Sequence, residues 1–106
     1  MREALVCMHG TKAATLVEES PTSYRLSYLE EYQGPPLSRT FPVRREPYRF
    51  PGFPAFFDGL LPEGLSLESL LRRHKVDRTD LFAQLLLVGE DLVGAVTVLP
   101  APGTGS

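Results

Sequence analysis

Cys7 and His9 bring a thiol and an imidazole within two positions of each other in the run ALVCMHG. A thiol nucleophile needs a base within hydrogen-bond reach and an orienting group behind that base. On one side of a strand Cys7 and His9 would supply the first two, but no third polar group stands nearby. A lone cysteine in an apolar run is more commonly a small buried hydrophobe, so Cys7 is assigned to the core. Asp58 and Glu63 are the other pair worth testing, as two carboxylates for acid–base work. The proline-broken run GLLP separates them and nothing polar converges on them. Asp58 is expected to anchor its neighbouring loop and Glu63 to sit in an exposed turn. His74 reads as a histidine at a helix end, near the negative pole of the helix dipole. One cysteine and two histidines, with His74 far from Cys7 and His9 in sequence, are not expected to form a metal site, and no catalytic or cofactor-binding residue is expected either.

Arg39, Arg44, Arg45 and Arg49 fall within eleven positions and interleave with Phe41, Tyr48 and Phe50. That mixture resembles a groove for single-stranded nucleic acid, where bases stack on rings and guanidiniums follow phosphates. Glu46 interrupts the run, and the chain carries a formal charge of -2 with a pI of about 5.6. Phosphate-neutralising proteins carry a basic excess, so no direct nucleic-acid binding is expected. An arginine rim beside an apolar arm, able to pair with acidic groups on a protein partner, fits better.

The elements that must position these residues can be read from periodicity. EALVCMH (Glu3 to His9) and AATLVEE flank a turn near Gly10 and predict a hairpin. Tyr24, Leu26 and Tyr28 alternate with Arg25 and Ser27, the period of a half-buried strand. YQGPP is a loop, and LSRTFPV reads as a short extended segment ending at Pro42. From Val43 to Pro54 the prolines at 47, 51 and 54, with Gly52, exclude a continuous helix or a central strand. Pro54 can open a short helix carrying Ala55, Phe56, Phe57, Leu60 and Leu61, with Phe57 and Leu60 facing the core.

Beyond Pro62 and Gly64, Ser66 can cap a helix whose Leu67, Leu70, Leu71 and His74 share one buried face. Its last turn holds Arg72, Arg73 and Lys75, which favour the dipole's negative end. Thr79 or Asp77 can cap a further helix, TDLFAQLLLV, apolar enough to be covered on most sides, with Gly89 ending it in the left-handed conformation. LVGAVTVLP predicts a strand returning to the N-terminal sheet, and APGTGS a frayed tail. The fold class is therefore α+β, a small antiparallel sheet of four to five strands with two to three helices packed on one side. One domain spans residues 1–100, followed by the tail at 101–106.

At 106 residues the chain supports one core and no second domain. A hydrophobic content of 42% and a charged content of 23% are those of an ordinary globular protein. One cysteine excludes an internal disulfide, and no run approaches a membrane span or a secretory signal. A cytoplasmic location is expected.

Three runs, PLSRTFP (Pro36 to Pro42), FFDGLLPEG (Phe56 to Gly64) and VGEDLVGAVTVLP (Val88 to Pro100), occur in an order and at a spacing that resemble the N-terminal subdomain of the HipA family. That family comprises serine/threonine kinase toxins of HipBA-type toxin–antitoxin systems, and the resemblance covers almost the whole chain. It implies a small α+β domain packed against a kinase body whose nucleotide loop, catalytic aspartate and metal-binding residues lie outside this sequence, so the chain is not expected to be an enzyme. A chain of this kind resembles the HipS component of tripartite HipBST systems. The resemblance implies an antitoxin that binds and restrains a separate HipT-like kinase, with a HipB-like DNA-binding protein as third partner. The alternative is a non-inhibitory N-terminal structural module of a HipA-type kinase. Either role needs a docking face, expected on the arm (Tyr48, Arg49, Phe50 and Phe53) and on the turn (Leu61, Pro62, Glu63, Gly64 and Leu65). Leu65 itself is open to two roles, a hydrophobic staple onto the following helix or a partner contact.

Overall fold

The structure, a computed structural model, describes residues 2–92 and 94–101. Five strands and three helices follow one another as β1 (Arg2–Met8), β2 (Thr11–Ser20), β3 (Ser23–Tyr28), β4 (Tyr48–Phe50), α1 (Ala55–Asp58), α2 (Gly64–His74), α3 (Leu81–Val88) and β5 (Val96–Pro100). A single 3₁₀ turn, Gly89–Asp91, follows α3. The strands form one antiparallel sheet in the order β4-β3-β2-β1-β5, the α+β architecture expected from the sequence.

The β1–β2 hairpin turns through His9 and Gly10, both at positive φ (52° and 80°). Two left-handed residues in succession match the right-handed twist of the flanking strands. A bulge then shifts the register, Val6 facing Ala14 while Cys7 faces Lys12. The extra residue explains why the adjacent Ala13 and Ala14 are both fully buried where strict alternation would expose one. In β3 the alternation is regular, with Tyr24, Leu26 and Tyr28 buried and their neighbours half-buried.

The core occupies one face of the sheet. Ala4, Val6, Leu16, Tyr24, Leu26, Val96 and Val98 from the strands meet Phe57 of α1 and Phe82 and Leu85 of α3. Leu5, Cys7 and Val17 project from the other face and are buried outside that cluster. Cys7 is a free, buried thiol.

Several local expectations are corrected. LSRTFPV is not extended: Phe41 N donates to Ser38 O at 3.0 Å, closing a turn. The fourth strand is Tyr48–Phe50, in the arm, a three-residue edge strand between Pro47 and Pro51. Proline is tolerated at such an edge because no ladder partner needs its missing N–H. Ser66 lies inside α2, which starts earlier, at Gly64, because Gly64 at φ 61° turns the chain directly after the extended Glu63. Leu67, Leu70 and Leu71 are only half-buried and His74 is exposed, and none of the four joins the core cluster or the shell packed on it.

The cap of α3 is Asp80, which accepts from Ala83 N at 3.1 Å. Asp77 instead closes a turn onto Thr79 N at 2.8 Å. Along α3, Leu87 is 39% exposed while Gln84 is 1% exposed, so the polar residue turns inward and an apolar one outward. Gln84 Nε2 donates to the carbonyls of Asp77 and Arg78 at 3.2 and 3.0 Å, which satisfies its burial. Gly89 is right-handed, at φ -56°, so it serves there through its lack of a side chain. β5 returns to pair with β1 as expected. Of the expected tail, residues 102–106 lie outside the described residues.

Candidate functional site

The arm is held by rings. Phe41 stacks edge-on against Phe50 (5.6 Å between centroids) and Phe56 (5.7 Å) and lies tilted against Tyr48 (5.4 Å). Phe53 meets Tyr24 at 5.5 Å. Aromatic contacts of this kind add to burial, and Tyr48, Phe50 and Phe53 are all half-buried as a result. Tyr48 also donates its hydroxyl to Pro42 O at 2.6 Å, and the Arg44 guanidinium lies 3.7 Å from its ring centre. Arg49 is exposed and approaches Glu19 at 3.5 Å. The arm therefore shows solvent the rims of its rings and its arginines, with the ring bodies directed inward.

The turn Leu61 to Leu65 divides sharply. Leu61 is 9% exposed and belongs to the core. Its amide donates to Asp58 O, which carries the turn of α1 onward and sets Leu61 four residues from Phe57 on the same side. It is removed from the outward-facing set. Pro62 is half-buried, while Glu63 and Gly64 are exposed. Leu65 stands out of the surface at 88% exposure. That value excludes a staple onto α2 and leaves a large aliphatic side chain in water.

Cys7 and His9 form no dyad, since the thiol is buried in β1 and the imidazole lies exposed in the left-handed turn. Asp58 and Glu63 are exposed and, among the described residues, make no side-chain hydrogen bond or ion pair. Among the described residues no cluster of three or more His, Cys, Asp or Glu side chains is arranged to hold a metal. No described helix is long and apolar enough to cross a membrane.

A cluster not visible in the sequence joins the two halves of the chain. Arg2 reaches Glu18 through Nε at 2.7 Å and Nη2 at 2.8 Å, and Asp80 through Nη1 at 3.0 Å and Nη2 at 2.9 Å. Tyr24 donates its hydroxyl to Glu18 at 2.6 Å. The Arg2 guanidinium holds the carboxyl groups of Glu18 and Asp80 below their ordinary range, and those carboxylates raise Arg2 further. Burial, and then the bond to Glu18, pushes the Tyr24 phenol up. Every polar atom of this group has a partner, so it clasps β1, β2 and the start of α3 together. The only sequence signal was three charges at distant positions, which periodicity cannot connect.

The HipA N-terminal domain model matches residues 4–99. The chain belongs to the HipA N-terminal domain family. A Haemophilus influenzae protein described only as uncharacterized is 34% identical over 98 residues, covering 92% of each chain. A Sinorhizobium fredii protein named "Putative kinase Y4dM" is 32% identical over 109 residues, covering 92% of this chain and 26% of its own length. Among solved structures, an N-terminal domain of HipA toxin superposes with a TM-score of 0.75 at 27% identity, covering 98% of this chain and 96% of the other. The HipA N-terminal domain is not the catalytic portion of the kinase.

Proposed function

We propose that this chain is an antitoxin-type protein that binds and restrains a separate HipT-like serine/threonine kinase, with a HipB-like DNA-binding protein as third partner. The observation that carries this reading is Leu65, 88% exposed beside the exposed Glu63 and Gly64, in a domain that matches 26% of the length of a kinase-named relative. An aliphatic anchor beside an arm of ring edges and arginines has the make-up of a protein interface. Co-purification with a kinase encoded beside this chain, followed by a phosphorylation assay, tests it: a co-eluting complex with suppressed kinase activity is expected. A kinase that neither co-elutes nor loses activity would sink the proposal.

A second reading is favoured by the Sinorhizobium relative, where the matching region is part of a longer chain. On it, the domain would be a structural module that supports the kinase without inhibiting it. A complex that forms with full kinase activity decides for this reading.

A further inference from the structure

The face of α2 that points away from the protein begins at Leu65 and continues through Ser66 and Ser69 to Arg72 and Arg73, all exposed. Positions 65, 69 and 72 fall at the i, i+4, i+7 spacing of one helical stripe. Immediately beyond, Lys75 ends the helix in the left-handed conformation, at φ 53°, and is also exposed. Arg2 bonds Glu18 and Asp80, Arg25 and Arg49 approach Glu19, and Arg78 bonds Glu68, whereas Lys12, Arg39, Arg44 and Arg45 meet no carboxylate among the described residues. Among the described residues, Arg72, Arg73 and Lys75 have no carboxylate partner, and Glu68, the acidic residue of α2, is neutralised by Arg78. The helix dipole favours cations at this end. It does not account for three unpaired cations side by side, which repel one another at helical spacing.

We infer that this stripe is a docking surface for an acidic protein segment of the kinase partner, with Arg72, Arg73 and Lys75 facing its carboxylates. The inference rests on the kinase-binding reading and extends it from the Leu65 turn along α2. Continuity supports it, because the charges begin two helical turns from Leu65 on the same stripe. So does the light hold on α2, whose leucines are half-buried and stand apart from the core, leaving the helix free to settle against a partner. A phosphate backbone suits the site less well, since an exposed leucine gains nothing there and the chain's net charge is -2. Electrostatic complementarity of this kind acts mainly on the association rate.

The experiment measures association and dissociation rates of the whole chain with a purified kinase encoded beside it, at about 50 mM and about 500 mM salt. A neutral variant carrying Arg72→Gln, Arg73→Gln and Lys75→Gln keeps side-chain length and good helix formers. It should associate about tenfold more slowly than the natural sequence at low salt, converge with it at high salt, and dissociate at nearly the same rate. A variant with glutamate at the three positions should be slower still. If glutamate at the end of α2 lowers helicity by circular dichroism, the neutral variant decides. Association that matches the natural sequence at both salts overturns the acidic-segment surface and leaves kinase binding standing. Failure of the natural sequence to bind the kinase overturns both. Unchanged kinase association together with loss of a gel shift on duplex DNA would assign the patch to nucleic acid and overturn it too.

Discussion

A side-chain carbon built on Gly89 would stand 1.9 Å from the carbonyl oxygen of Val98. No shift of a flexible side chain relieves that distance, because the obstacle is the backbone of β5. The pairing of β1 with β5 runs through His9 N to Ala95 O and Ala101 N to Glu3 O. In an antiparallel ladder that pattern turns the backbone groups of Val96, Val98 and Pro100 outward. The 3₁₀ turn thus lies directly on the free edge of the sheet and covers it, a known protection against edge-to-edge pairing. Gly89→Ala should cost about 2–3 kcal/mol of stability, read as a drop in thermal midpoint of at least ten degrees or so. An unchanged midpoint would show that the turn is not packed on β5.

The clasp sets a pH dependence at both ends. Glu18 and Asp80 are held below their ordinary range by Arg2, so their contribution is fully present above the unfolded values near 4 and is lost as pH falls through the depressed folded values. Tyr24 is held above its ordinary range, so its contribution is present below about pH 10 and is lost as pH rises beyond that. Urea unfolding between pH 3 and pH 7, run beside Arg2→Met, should show the natural protein losing more stability on acidification than the variant. At neutral pH the variant should be weaker by about 1–2 kcal/mol, a value lowered by the partial exposure of the guanidinium. Parallel pH curves would refute the clasp.

Gln84 tests whether a polar group in an apolar helix is a liability. Gln84→Leu removes the donor that serves the carbonyls of Asp77 and Arg78 and should destabilise by about 1–3 kcal/mol despite raising hydrophobicity. A gain in urea midpoint would mean that water satisfies those carbonyls equally well.

Leu61 and Leu65 should respond in opposite ways although four residues apart. Leu61→Ala opens a cavity beside Phe57 and should lower stability by about 2–4 kcal/mol. Leu65→Asp should leave stability within about 0.5 kcal/mol and weaken the kinase complex by tenfold or more, chiefly through faster dissociation. If thermal scans show Leu65→Asp to be as damaging as Leu61→Ala, Leu65 is a core residue.

Legibility followed the range of the forces involved. The hairpin, β3 and β5 were readable because alternation is local and one face of the sheet is dry, as Tyr24, Leu26 and Tyr28 show. Caps were misplaced by one to three residues because Glu63, Ser66, Asp77, Thr79 and Asp80 are all polar residues in plausible positions, and the choice among them is made by tertiary fit. β4 was concealed by its prolines, which forbid a central strand but permit an edge. The residues expected at a docking face separated only by burial, since the sequence shows Leu61 and Leu65 as equal neighbours of one turn. The clasp of Arg2 with Glu18 and Asp80 was invisible, as nothing local links those positions.

The place of β1 between β2 and β5 also sets an order of assembly. β1, β2 and β3 are joined by two-residue turns and can close quickly as a meander. β1 then keeps one side open until β5 arrives from the opposite end of the sequence. In that interval a strand of alanine, leucine, valine, cysteine and methionine presents unpaired amides to its surroundings. A nascent or heat-opened chain is therefore most vulnerable to aggregation along β1, and the slow event in refolding should be the docking of β5 with the helix that guards it.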